Sequence, residues 1–108
     1  MIFVTGGAWQ GKHEFVKQRW PEARIYDGLH RLVKEKLAAG EEVSEYIDEM
    51  IRKDPDTVLI SDMIGSGIIP MDPEENNWRE VHGRICCDIA ARADEVYLVT
   101  CGIGQKIK

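Results

Sequence analysis

A chain of 108 residues, 44% hydrophobic and 31% charged, has the size and composition of one folded domain: too apolar for a disordered chain, not apolar enough for a membrane protein. The formal net charge is −5 and the bases are interleaved with acids, so no face is built for a nucleic-acid backbone and no nucleic-acid or membrane partner is expected. Cys86, Cys87 and Cys101 are odd in number and lack the paired spacing of a zinc site, and Met1 to Val4 is too short for a signal-peptide core, which points to reduced thiols in a cytoplasmic protein.

Ile2-Phe3-Val4-Thr5 is a β-branched and aromatic run stopped by Gly6-Gly7, as a buried strand emptying into a glycine loop would be. His13 to Trp20 turns helical and Pro21 ends it. Ala23 to Tyr26 can form a second short strand. Leu29, Leu32, Val33 and Leu37 then recur at helical spacing up to Gly40, and Val43, Tyr46, Ile47, Met50 and Ile51 form a second apolar stripe up to Asp54-Pro55. Such stripes are read as core. Thr57-Val58-Leu59-Ile60 is a continuous apolar run ending in Ser61-Asp62, the form of a parallel strand covered on both faces. A loop with Gly65, Gly67 and Pro70 follows, then a helix from Asn76 to Ala93, and Val96-Tyr97-Leu98-Val99 as the last strand. The order β-α-β-α-α-β-α-β predicts an α/β fold of the P-loop type, a single domain with a mostly parallel sheet flanked by helices.

Gly6-Gly7-Ala8-Trp9-Gln10-Gly11-Lys12 has the spacing G-x-x-x-x-G-K of a phosphate-binding loop, between a first strand and a first helix. Glycines let successive N–H groups turn toward phosphate oxygens, the helix start adds its dipole, and Lys12 supplies a point charge. Residues Gly6 to His13 are therefore the candidate nucleotide site, for ATP or GTP; a glycine turn with a solvated lysine is the plain alternative. His13 stands where such loops carry the serine or threonine that holds Mg2+, and imidazole is a poor ligand for so hard an ion. It could instead donate to a phosphate, or simply be tolerated in the first helical turn. Asp62, delivered at the carboxyl end of its strand where ligands of α/β sheets collect, is the candidate metal-side carboxylate and, with Lys12, a candidate catalytic residue; a strand-ending turn is its bland reading.

Taken together these residues resemble the adenosylcobinamide kinase / adenosylcobinamide-phosphate guanylyltransferase family of cobalamin biosynthesis. Thr5-Gly6-Gly7-Ala8 with Gly11-Lys12 is similar to that family's T-G-G-A-R-S-G-K-S, and Ile60-Ser61-Asp62-Met63-Ile64-Gly65-Ser66-Gly67-Ile68-Ile69-Pro70 to its V-S-N-E-V-G-x-G-I-V-P. The likeness continues through Trp78-Arg79-Glu80 and Gly83 to Ala93-Asp94-Glu95-Val96-Tyr97-Leu98-Val99, Gly102 and Lys108. It covers the first loop and the chain from about Val58 on. Between Pro21 and Thr57 only His30-Arg31 matches the family's H-R-x-x-R-P-x-x-W segment, whose histidine accepts the guanylyl group, and its D-C-L-T strand has no counterpart unless Ser61-Asp62 serves. The resemblance implies phosphoryl transfer from a nucleoside triphosphate to a corrinoid hydroxyl, with adenosylcobinamide as partner, Lys12 and Asp62 as catalytic residues, and a homo-oligomer. The same fold without turnover, a nucleotide- or corrinoid-binding module, is the competing expectation, motivated by His13, Met63 in place of a glutamate and Cys86 in place of an asparagine. His30 is otherwise a helix residue beside Leu29 and Leu32. Arg79 either reaches a phosphate or pairs with Glu75 or Glu80, and Cys86-Cys87 reads as packing.

Overall fold

The computed structural model describes residues 1–64 and 72–108, so the expected loop with Gly65, Gly67 and Pro70 lies outside the described residues. The first strand, β1 (Ile2–Gly6), has β3 (Val58–Asp62) on one side and β4 (Glu95–Thr100) on the other, both parallel to it. Beyond β3 lies β2 (Ile25–Asp27), also parallel, and beyond β4 lies β5 (Ile103–Lys106), antiparallel, which gives the order β2-β3-β1-β4-β5. The α/β expectation with a mostly parallel sheet holds.

Alternation along the central strands explains the layers. Phe3, Leu59 and Val96 point to one face, where they meet Leu29, Leu32 and Val33 of α2 (Leu29–Ala38), Val43 and Ile47 of α3 (Val43–Lys53) and Ile85 and Ile89 of α4 (Pro73–Arg92). Val4, Val58, Ile60, Tyr97 and Val99 point to the other face and pack on Val16 of α1 (Lys12–Arg19). Among the described residues, three helices thus cover one face and a single helix the other. The short α1 is helped by Phe15, Trp20 and Tyr97, whose rings meet at centroid distances of 5.2–5.9 Å.

Two expectations need correction. Val96-Tyr97-Leu98-Val99 is not the last strand: Thr100 pairs with Ile103 across a turn in which Cys101 (φ 52°) and Gly102 (φ 77°) are both left-handed, and β5 returns along β4. A two-residue turn with positive φ at both central positions matches the twist of the flanking strands, and Cys-Gly is a less usual pair there than Asn-Gly. Because β5 is an exposed edge, its sequence Ile103-Gly104-Gln105-Lys106 carries no buried apolar run to announce it. The long helix also begins before Asn76, at Pro73, because Pro at the first helical position follows a capping Asp72 whose carboxylate accepts from the Glu74 N–H at 3.0 Å.

Gly6 closes β1 against its neighbour. A Cβ there would fall far inside contact distance of the Val99 carbonyl oxygen, so a side chain would push β1 off β4 just where the glycine loop departs. Gly6→Ala is expected to cost about 1–3 kcal/mol of stability, the usual size of an overpacked core, read as a lowered urea midpoint at unchanged slope. An unchanged midpoint would show that the β1–β4 contact yields without cost.

Candidate functional site

The loop between β1 and α1 runs over the carboxyl edge of the sheet. Trp9 (φ 62°) and Gly11 (φ 84°) are left-handed, and Gly11 caps α1 without a side-chain bond. Gln10 anchors the crest to the β4–β5 turn: its carbonyl accepts from the Gly102 N–H and its side-chain oxygen from the Cys101 N–H, both at 2.7 Å. The hairpin that sequence did not reveal is what braces the loop.

Lys12 is the first residue of α1, yet it is buried, with 7% of its surface exposed. Its Nζ donates to the Gly7 carbonyl at 2.7 Å and lies 2.7 Å from Oδ1 of Asp62. One ammonium proton is left for a third acceptor. Lys12 and Asp62, chosen from the sequence as a pair, are therefore brought into direct contact at the floor of a cavity of about 360 Å³ whose walls include Trp9, His13, Asp27 and Arg31.

His30, read as a helix residue, also reaches this point. It opens the first turn of α2, where its Nδ1 accepts from the Asp62 N–H at 3.1 Å, so the proton of the neutral ring sits on Nε2, 3.4 Å from Oδ2 of Asp62. Burial holds its pKa below the ordinary histidine value despite the attraction of Asp62. Both ring nitrogens are engaged.

Asp27 is the residue that sequence reasoning missed. It ends β2, and its carboxylate meets His13 Nδ1 at 2.8 Å on the open side of the cavity. The signal was the same apolar-run-then-acid pattern that marked Asp62, shortened here to Ile25-Tyr26 before the acid. A second cluster lies on the other side of β3. Ser61 Oγ is 2.7 Å from His82 Nε2, and Cys86 Sγ lies 3.4 Å from the same nitrogen. Burial is the main reason that the His82 pKa is pushed down to about 4 and that of the Cys86 thiol up to about 12. Both groups are neutral at pH 7, in keeping with Cys86 as packing.

An arrangement of this kind, with N–H groups at a helix start, a buried ammonium and carboxylates beside it, can hold a polyphosphate and balance its charge. Comparison with known proteins agrees with the motifs. Residues 22–107 match the sequence model of the cobinamide kinase / cobinamide phosphate guanyltransferase family. That match begins after the glycine loop and takes in the middle of the chain, where the sequence alone showed little likeness. The chain is 38% identical to the bifunctional adenosylcobalamin biosynthesis protein CobU of Salmonella typhimurium over 108 residues, all of this chain and 51% of that protein. Against the protein of the same description from Escherichia coli it is 37% identical over 71 residues, 66% of this chain and 39% of the relative. The chain spans about half the length, or less, of these relatives.

The buried histidines set a pH dependence. His82 is 2% exposed and titrates near 4 in the fold against about 6.5 when unfolded, so its contribution is intact above pH 6.5 and is lost as pH falls toward 4, where only the unfolded chain takes up the proton. Unfolding free energy should drop by on the order of 2 kcal/mol between pH 7 and pH 5 through this group. His82→Asn should flatten much of that slope in urea titrations at the two pH values; equal slopes would show that His82 charges in the fold without penalty.

Proposed function

The chain belongs to the cobinamide kinase / cobinamide phosphate guanyltransferase family, and from that premise we propose that it binds ATP or GTP at Gly6 to His13 and transfers the terminal phosphoryl group to a corrinoid hydroxyl. The observation that carries the reading is the Lys12 ammonium, held at the base of the loop between the Gly7 carbonyl and Asp62. Loop N–H groups and the start of α1 would hold the β- and γ-phosphates, and the free proton of Lys12 would meet the oxygen that gains charge as the γ-phosphoryl moves. The acceptor hydroxyl oxygen forms the new P–O bond as the bond from the γ-phosphorus to the bridging oxygen breaks. The nucleoside diphosphate leaves with that electron pair, and the hydroxyl proton passes to solvent at the open cavity.

Magnesium fits the donors present, because in phosphate sites it needs only one or two carboxylates besides phosphate oxygens and water. Asp27 and Asp62 would be those carboxylates, and the ion would supply charge neutralisation for the phosphates. Asp62 also orients Lys12, and the imidazole of His30 orients Asp62 through its backbone N–H. A nucleotide- or corrinoid-binding module without turnover is the second reading. The His13–Asp27 contact favours it, since it occupies a carboxylate that the metal would use.

Labelled phosphoryl transfer from ATP or GTP to adenosylcobinamide tests the main reading. Transfer should depend on magnesium and fall at least a hundredfold in Lys12→Ala; transfer that survives this change points to another site, and binding without turnover favours the module. His13→Ser frees Asp27 and returns a hydroxyl to the start of α1. Magnesium should then tighten nucleotide binding roughly five- to hundredfold in titration calorimetry, the size of one regained contact to a charged group. An affinity indifferent to the ion in this variant would count against a phosphate loop that lost only its metal ligand.

A further inference from the structure

The indole of Trp9 is 99% exposed at the crest of the loop, on the rim of the cavity that Lys12 and Asp62 floor. The other two tryptophans are used in packing: Trp20 stacks edge-on with Phe15 and Tyr97, and Trp78 donates from Nε1 to the His30 carbonyl under the Lys34 ammonium. Trp9 makes no ring contact among the described residues. A bulky residue with φ 62° is uncommon and persists where the surroundings fix it, and here the next residue is latched to the β4–β5 turn by two bonds of 2.7 Å. The latch holds the indole up and away from the core. Among the residues that line the cavity Trp9 is the large apolar one, whereas Asp27 and Arg31 are charged.

We propose that Trp9 is a stacking platform for a planar ring carried by a ligand of the loop, either the base of the nucleotide or the macrocycle of the corrinoid. The proposal rests on the loop holding the phosphates. With these on the charged floor, the remainder of the ligand must leave the cavity of about 360 Å³ over its rim, and the rim offers one large π-face. Base–aromatic stacking is tolerant of base identity, so Trp9 would add affinity for ATP and GTP alike.

Titration calorimetry with inorganic tripolyphosphate, ATP, GTP and cobinamide on the wild type, Trp9→Ala and Trp9→Phe separates the sources. Tripolyphosphate has no ring and should bind the wild type and Trp9→Ala alike. The ligand that stacks should lose roughly five- to hundredfold in affinity with Trp9→Ala, recover most of it with Trp9→Phe, and change the indole emission of the wild type. Loss for ATP and GTP assigns the base, and loss for cobinamide alone assigns the macrocycle. If tripolyphosphate weakens as much as the nucleotides, Trp9 acts through the loop backbone and the platform is refuted. The same follows if no ring-bearing ligand loses affinity. Failure of tripolyphosphate to bind the wild type sinks the phosphate-loop reading and, with it, the platform that rests on it; tripolyphosphate that binds while no ring-bearing ligand loses affinity in Trp9→Ala sinks the platform alone.

Discussion

Burying the ammonium of Lys12 is the constraint to which the site answers. A cation withdrawn from water costs several kcal/mol unless opposite charge and hydrogen bonds replace its hydration, and Lys12 obtains these from the Gly7 carbonyl and from Asp62. Gly7 belongs to the same loop, but Asp62 is fifty residues away. The two meet because Gly6 and Asp62 are register partners in the β1–β3 pairing, so both strands end level and α1 starts directly above them. A slip of one residue between β1 and β3 would turn Ser61 toward α1 and Asp62 toward the core face, leaving both charges unpaired. The ion pair thus favours a single register, which the apolar runs on these strands, buried on both sides, specify less sharply.

At its end β3 serves two faces at once. Asp62 looks toward Lys12, while Ser61 looks the opposite way, to His82 and Cys86 of α4. His30 joins the two sides, with its ring on Asp62 and its carbonyl accepting from Trp78 on the same helix as His82. Burial is the main reason that both histidines resist protonation, and a charge on His30 would lower the His82 pKa further. Their neutrality leaves the Lys12 ammonium as the cation paired with Asp62 at the floor of the cavity.

How much of this was legible depended on whether a residue's role was local. The strand–loop–helix opening, the apolar β3, the amphipathic α2 and α3 and the choice of Lys12 and of Asp62 as site residues follow from runs, glycines and spacing that a single stretch of chain displays; the contact between the two does not. β5 was hidden because an exposed edge strand needs no apolar pattern and the left-handed Cys101 gives no sign of its turn. Asp27 was hidden because β2 contributes only Ile25 and Tyr26 before it. The contacts among Ser61, His82 and Cys86, and between His30 and Asp62, join residues twenty or more apart, and each residue alone resembles ordinary packing.

The histidine after Lys12 reads in isolation as damage to a phosphate loop, yet the fold answers it with a residue fourteen positions on. An imidazole extends farther than a serine hydroxyl, and from the first turn of α1 it reaches Asp27 at the end of β2, across the mouth of the cavity, at 2.8 Å. Both groups are well exposed, so the contact is a weak one, of the order of 0–1 kcal/mol for a surface pair. A weak latch is one that a ligand can open: were a triphosphate to bind as proposed, its oxygens would draw the imidazole toward themselves as a donor and free Asp27 for a cation. The substitution that removes the usual metal hydroxyl therefore need not abolish the site. On the proposed function it would convert a fixed oxygen ligand into a movable pair, and would couple a cation at Asp27 to an anion at His13.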